Sequence, residues 1–372
     1  MTRLVVVGAG IFGLATAWAA MRAGAEVEIL ETATSVPNPI GSSVDQHRLI
    51  RHPYGPQAGY TRMVVDAYAA WDRLWGDLGA VHYAHSGSLI VESAPSGWIA
   101  PSRTALDSCG IAHARPDAAV FARDWPALVS DGIHDALVCD TGGTLFAADI
   151  VAGLAGWLAA KGARIRTGAA VRDIDPDAAR TTLADGTSVT GDVLVVCAGP
   201  WTNRLVPAMA RRMTPSRQTV VYLDPPSELA ALWARMPLLL DLAADDVFYL
   251  VPPRAGRGLK VGFHNFSCIG DPDEPRDADP ADAEKLVHAC ARRIGRLKDY
   301  RVVRARNCFY DTVADERFLV EALGAATYVA TGFSGHGFKF GAVVGEKIAA
   351  AALGHLAPAA LAHWAAGHDQ RA

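Results

Sequence analysis

None of the six cysteines, at positions 109, 139, 197, 268, 290 and 308, stands in a CxxC pair, and no histidine lies at a spacing suited to zinc. The expected setting is a reducing cytoplasm, with no metal site. Lysine and arginine form no run and no basic stripe, and the net charge is only −4. Nucleic acid and anionic membrane are accordingly not expected as partners. What the chain does have is length and apolar content: 372 residues, 51% of them hydrophobic, are enough for two domains with a buried core each. Its alanines make helices easy to form and say nothing about chemistry.

The first thirty residues carry a local pattern. Leu4-Val5-Val6-Val7 is a short β-branched run, as in a strand buried on both faces, and Gly8-Ala9-Gly10-Ile11-Phe12-Gly13 follows at once. Gly8 permits a tight turn, Gly10 lets the backbone approach a pyrophosphate, and Gly13 lets the next helix lie close to the sheet. That helix, through Leu14, Ala17, Trp18 and Met21 to Gly24, presents N–H groups and a positive dipole end to phosphates. Glu26 to Leu30 reads as the second parallel strand. Glu31 ends it, eighteen positions after Gly13, where a dinucleotide's ribose hydroxyls need an acceptor. An acid there repels the 2′-phosphate of NADP, which leaves FAD and NAD. Residues 4 to 21 are uncharged, but three glycines within six positions weaken a membrane helix, and no small-residue cleavage site follows.

Beyond a Pro/Ser-rich connection from Thr32 to Ser43 lies Asp45-Gln46-His47-Arg48-Leu49-Ile50-Arg51-His52. Two arginines three apart among apolar residues are either a basic surface loop or an anion site, since guanidinium matches a carboxylate as a bidentate fork. Helical spacing predicts an amphipathic helix over Tyr60 to Gly79 and another over Ala147 to Lys161. Strands are expected at Ser88 to Glu92, Leu137 to Cys139, around 163 to 167 and 170 to 174, with a hairpin turn at Asp185-Gly186. Asp192 to Cys197 is a further buried strand, and its small-residue end, Ala198-Gly199, returns the chain to the nucleotide. Between 211 and 307 longer strands, Thr219 to Tyr222, Val247 to Val251 and Leu259 to Phe266, predict a mixed or antiparallel sheet. Asp271 to Asp282 reads as an exposed acidic loop without chemistry, and Ala281 to Leu297 as a helix. Cys308 and Tyr310 lie two apart at a strand end. Finally Tyr328 to Thr331 runs as a strand into Gly332-Phe333-Ser334-Gly335-His336-Gly337 and a helix from about Phe338 to Leu353.

With these residues together the chain resembles the flavin amine oxidases of the D-amino acid oxidase superfamily, most closely the group of monomeric sarcosine oxidase and N-methyltryptophan oxidase. The motifs that carry the resemblance are Gly8 to Glu31, Gly41-Ser42 through Arg51-His52, Gly258 to His264, Cys308-Phe309-Tyr310 and Gly332 to Phe340. It implies an α/β fold: an FAD-binding Rossmann-like domain of glutathione-reductase type, with an inserted α+β substrate domain containing a mixed sheet. The expected segments are 1–80, 140–210 and 308–372 for FAD, and 81–139 with 211–307 for the substrate. The resemblance further implies FAD held covalently through Cys308 and touched by Gly8, Gly10, Ile11, Gly13, Glu31, Ser42, Arg48, Gly335, Gly337, Phe338 and Lys339. Arg51 and Lys339 would take the substrate carboxylate. Lys260 would promote the reaction with oxygen, and Tyr249, His264 and Tyr310 would line the pocket. Taken singly, Cys308 could be an inert thiol, His264 a core histidine, the tyrosines packing, and Lys260 a solvated strand residue.

The implied activity is oxidation of a secondary, N-methyl or cyclic, amino acid to an imine, with molecular oxygen reduced to hydrogen peroxide by a monomeric enzyme. Ser43-Val44, where related enzymes often have a histidine, and Val251, where a phenylalanine is usual, point away from sarcosine itself toward a larger or cyclic substrate. A dehydrogenase using another acceptor, or a non-catalytic flavoprotein subunit, would share these motifs.

Overall fold

The computed structural model describes residues 1–243 and 245–368. Its organising layer is a six-stranded sheet in the order Leu319–Ala322, Thr327–Thr331, Val193–Val196, Arg3–Val7, Glu26–Leu30, Arg164–Arg166. Every pairing is parallel except that of the first strand. Leu4 to Val7 are buried because helices cover one face and the antiparallel strands Val171–Asp175, Arg180–Leu183 and Ser188–Thr190 the other. In register, Val7 lies beside both Leu30 and Val196, so three strand ends and their turns meet at one edge.

The helices Ile11–Arg22, Ala58–Leu78 and Gly341–Ala352 share one core around Trp18, Tyr60, Trp71 and Phe340. Gly79, left-handed at φ 66°, ends the second of these. An eight-stranded sheet forms the other layer: Arg301–Thr312, Thr214–Asp224, Leu259–Phe263, Phe248–Val251, Leu238–Leu242, Ser88–Glu92, Asp135–Cys139, His113–Ala114. It is mixed, with Leu238–Leu242 parallel to Ser88–Glu92 and the rest antiparallel. A small sheet of Arg48–Ile50, Gly143–Leu145 and Tyr83–His85 lies between the layers.

Several boundaries differ from the sequence reading. The expected helix from Phe338 begins as a 3-10 turn, Phe338–Phe340, and becomes α-helical only at Gly341. The helix expected to reach Leu297 ends at Cys290, where the buried Arg293 turns inward to its ion pair with Asp241, 2.7 Å away. The strand at Thr219 to Tyr222 is one part of an eleven-residue strand paired along its whole length with Arg301–Thr312, and the Leu259 strand stops at Phe263. The 307/308 domain limit falls inside Arg301–Thr312, and residues 369–372 lie outside the described residues. Among the described residues no helix is long and apolar enough to cross a membrane.

Candidate active site

A cavity of about 670 Å³ runs along the carboxyl edge of the six-stranded sheet, within the range of small-molecule and cofactor sites. Its floor is the glycine turn. Gly8 has φ 99°, and a Cβ there would lie 2.4 Å from the Cys197 carbonyl oxygen; a Cβ on Gly13 would lie 2.0 Å from the Gly8 carbonyl oxygen. Strand, turn and helix can approach this closely only without side chains. Gly10 caps the helix, and Ile11 N–H donates to the Ser43 hydroxyl at 3.0 Å. Glu31 is buried at the cavity wall and accepts from Ala9 N–H at 2.8 Å, Ala33 N–H at 2.9 Å and Asn38 Nδ2 at 3.0 Å. Ser42 donates to the Phe309 carbonyl at 2.6 Å, tying this loop to the Cys308 strand. The late Gly-rich run folds back onto the first one: Phe333 stacks on Phe12 with ring centroids 3.5 Å apart.

The acidic loop expected to carry no chemistry walls the same cavity. Asp273 accepts from Trp201 Nε1 at 2.7 Å and Arg204 at 2.5 Å, and Arg204 also reaches Asp271. An acidic, proline-rich run reads as solvated until the fold sets Arg204 against it.

A second, smaller cavity of about 60 Å³ gathers Arg48, Arg51, Tyr249, Lys260, His264, Tyr310, Gly335, Phe338 and Lys339. A single water needs roughly 10–15 Å³ in such terms, so the space suits a small organic molecule. Tyr249 and Lys260 come from neighbouring strands of the mixed sheet, Tyr310 from the long edge strand, and Lys339 from the 3-10 turn. Gly335, at φ 72°, leaves room for the Tyr310 ring, since a Cβ would lie 2.3 Å from it; Gly337 similarly faces Phe333.

Among the described residues neither of two basic side chains in this cavity, Lys339 and Arg51, makes a salt bridge, and the Glu316 carboxylate acts on Arg51 only from a longer distance. Lys339, 2% exposed, donates to the Tyr54 hydroxyl at 2.8 Å and the His336 carbonyl at 2.9 Å. Arg51, 7% exposed, lies over the rings of Tyr54 and Trp98 and donates to the Pro53 carbonyl, while its Nε is buried without a partner. Burial, and then the charge of Arg51, push the Lys339 amine well below its usual range; burial lowers Arg51 too. Buried cations without an anion are unfavourable, and the arrangement suits a ligand that brings one. His264, held by burial and these cations at about 4, is neutral. Burial raises the Tyr249 and Tyr310 hydroxyls, Tyr310 to about 12.

Lys260 is 2% exposed, so the solvated reading is wrong. Its ammonium donates to the Asp45 carboxylate and to the His47 carbonyl at 3.3 Å. Arg48 contacts Asp45 at 2.5 Å, the Ser42 carbonyl at 2.7 Å and Cys308 Sγ at 3.9 Å. Sequence proximity singles out Arg306 as the cation beside Cys308, but the hydrogen-bonding cation there is Arg48, because the loop after Gly41 crosses that strand.

The model of the DAO family, FAD dependent oxidoreductase, matches residues 3–351. The chain belongs to this family. Monomeric sarcosine oxidase of Bacillus sp. (strain B-0618) is 26% identical over 360 residues, covering 94% of this chain and 92% of that protein. N-methyl-L-tryptophan oxidase of Salmonella newport (strain SL254) is 28% identical over 370 residues, covering 94% of each. The structure of L-proline dehydrogenase from P. horikoshii superposes with a TM-score of 0.83 at 18% identity, covering 99% of each chain, a likeness of fold.

The DAO-family motifs account for most of the site, but sequence reasoning assigned no role to Asp45, Tyr222 or Tyr54. Asp45 stands three residues before Arg48, an available signal, yet an acid beside basic residues ordinarily marks a solvated face. Tyr54 supplies both an aromatic face to Arg51 and an acceptor to Lys339. Its role needs residues 285 positions apart to meet.

Proposed function

We propose that this FAD-dependent oxidoreductase is an oxidase of a small secondary amino acid, N-methyl or cyclic, giving an imine and hydrogen peroxide. The observation that carries the reading is the pair of buried, unpaired cations, Arg51 and Lys339, over a small cavity beside Lys260 and Cys308. They receive the substrate carboxylate. The positive field they share with Arg48 and Lys260 disfavours an ammonium nearby, so the amine is held in its neutral, reactive form. Neutral His264 and the Tyr249–Tyr310 pair border the amine and keep water out without adding a charge. Orientation by the clamp supplies much of the rate, so no strong base is required.

The large cavity and its glycine turn fit FAD, with Gly8, Gly10, Ile11, Gly13, Glu31 and Ser42 on the nucleotide side and Gly335, Gly337, Phe338 and Lys339 toward the substrate. Cys308 is the attachment point, with the Arg48 guanidinium 3.9 Å from its sulfur. FAD, when bound, supplies the two-electron acceptor for the C–N bond. Segments 1–80, 140–210 and 308–368 form its domain, and 81–139 with 211–307 the substrate's.

An anaerobic screen of N-methyl and cyclic amino acids tests the reading. Bleaching of the flavin by an amino acid but not its methyl ester, followed by peroxide on admitting air, is expected. Equal bleaching by acid and ester would remove the carboxylate clamp. Bleaching that air does not reverse would remove oxygen as the acceptor.

A further inference from the structure

We propose that Asp45 is a positioning residue for the oxygen half of the reaction: its carboxylate fixes the Lys260 side chain in place and is the counter-ion of its ammonium. This rests on the reading of Lys260 given above. In that half-reaction oxygen takes two electrons and two protons from the reduced enzyme and leaves as hydrogen peroxide.

The geometry is specific. Asp45 is 6% exposed, and four donors converge on its carboxylate: Lys260 Nζ, Arg48 Nη1 at 2.5 Å, the Tyr222 hydroxyl and Gln46 N–H at 2.8 Å. Its carbonyl accepts from Ala148 N–H at 3.2 Å, fixing the loop to the start of the helix Ala147–Ala160. Lys260 arrives from 215 positions away on the mixed sheet, opposite Tyr222 and Val251. Asp45 is thus a bracket between the cofactor layer and the substrate layer.

The groups around Lys260 leave Asp45 as its carboxylate. From the same loop come Arg48, a permanent cation, and His47, held by burial and then Lys260 itself at about 4 and so neutral. The Tyr222 and Tyr249 rings lie 6.0 Å from Nζ on the two flanking strands, and burial raises both hydroxyls. Cys308 adds a weak favourable influence from the long edge strand, which also carries Arg306 and Tyr310. Burial pushes the Lys260 amine down to about 8, Asp45 opposing and Arg48 assisting. Without the carboxylate, burial and Arg48 both act against the charge, so the amine loses its proton at lower pH.

The chain has only six lysines, so ¹³Cε-lysine labelling of the flavin-loaded protein gives a resolvable titration. Lys260→Met and Lys339→Met assign the two buried signals. The parent Lys260 signal is expected to titrate near pH 8, as the structure places it. In Asp45→Asn it should move down by at least about one pH unit, a tenfold change in proton affinity, while Asp45→Glu restores most of the difference. Stopped-flow reoxidation should follow the same midpoints. At pH 7.5 Asp45→Asn should be slower by about threefold or more and recover on acidification, which a merely misfolded site would not do. An unchanged Lys260 midpoint in Asp45→Asn overturns the proposal. So does a parent midpoint well below pH 7, which would leave the amine uncharged at neutral pH with Asp45 in place, a measurement needing no Asp45 variant to fold. A midpoint that moves while reoxidation does not would overturn the role of Lys260 itself.

Discussion

Lys339→Met should strengthen the ligand-free protein and weaken substrate capture. In the free enzyme the Lys339 amine is buried beside Arg51 with no anion in contact among the described residues, and its proton affinity is well below that of the unfolded chain. Between the folded value and about 10.4 the unfolded state binds the extra proton, so stability rises with pH across that window. At neutral pH the group therefore destabilises the fold. Methionine is similar in size and removes the charge, a change worth ~1–4 kcal/mol at buried sites. The substitution also loses two hydrogen bonds, to Tyr54 and the His336 carbonyl, at about 1 kcal/mol each. A net gain of about 1 kcal/mol follows, or a rise of ~1–3 °C in the Tm of the flavin-loaded, carboxylate-free protein. Binding moves the other way. A carboxylate ~4 Å from an ammonium at an effective dielectric of ~20 gains about 4 kcal/mol, and with Arg51 still present a loss of about 3 kcal/mol is expected. That is a rise of roughly 150-fold in Kd for a simple carboxylate, read from the flavin absorbance. Because only the protonated amine holds the anion, parental affinity should fall as pH rises through the lowered value of Lys339, and Lys339→Met should flatten that dependence. A variant that melts earlier and keeps its affinity within threefold would refute the reasoning.

If Cys308 carries the flavin, denatured and acid-precipitated protein should stay yellow, with the flavin mass on the peptide containing Cys308, and Cys308→Ala should release it. Lys260→Met should be reduced by substrate at near parental rate and reoxidised at least about tenfold more slowly; half of a ~4 kcal/mol attraction already gives about thirtyfold, and unchanged reoxidation in stopped flow would remove Lys260 from the mechanism. Gly13→Ala should lose flavin and fall by more than about 2 kcal/mol in urea unfolding, because its Cβ would meet the Gly8 carbonyl at 2.0 Å. Gly156→Ala, in the helix Ala147–Ala160 with open space around it, should gain about 0.5–1 kcal/mol in the same assay and leave activity untouched.

The elements that were legible are those whose reasons are local. The run Leu4 to Gly13 specifies strand, turn and helix through β-branched residues and glycines within ten positions, and the structure shows them at Arg3–Val7 and Ile11–Arg22. The amphipathic spacing from Tyr60 likewise predicts the helix Ala58–Leu78 to within two residues. The mixed character of the second sheet was readable from strand lengths and turns, but its order was not, because the parallel pairing of Leu238–Leu242 with Ser88–Glu92 joins segments about 150 residues apart.

The candidate site divides in the same way. The sequence alone carries a glycine turn of dinucleotide type at the start of the chain, an acid after it, and the family resemblance that singles out Arg48, Arg51, Lys260, Cys308 and Lys339. It could not say which charges would be paired. Lys260 has the same alternating neighbours whether it faces water or Asp45, and only the meeting of two layers 215 positions apart buries it against a carboxylate. Arg51 and Lys339, by contrast, are brought to one cavity with no carboxylate in salt-bridge contact among the described residues, and Arg51 Nε is left without a partner. The physical reason is that the energy of a charge depends on burial and on the nearest counter-ion. Both are properties of the folded surface and not of the local chain.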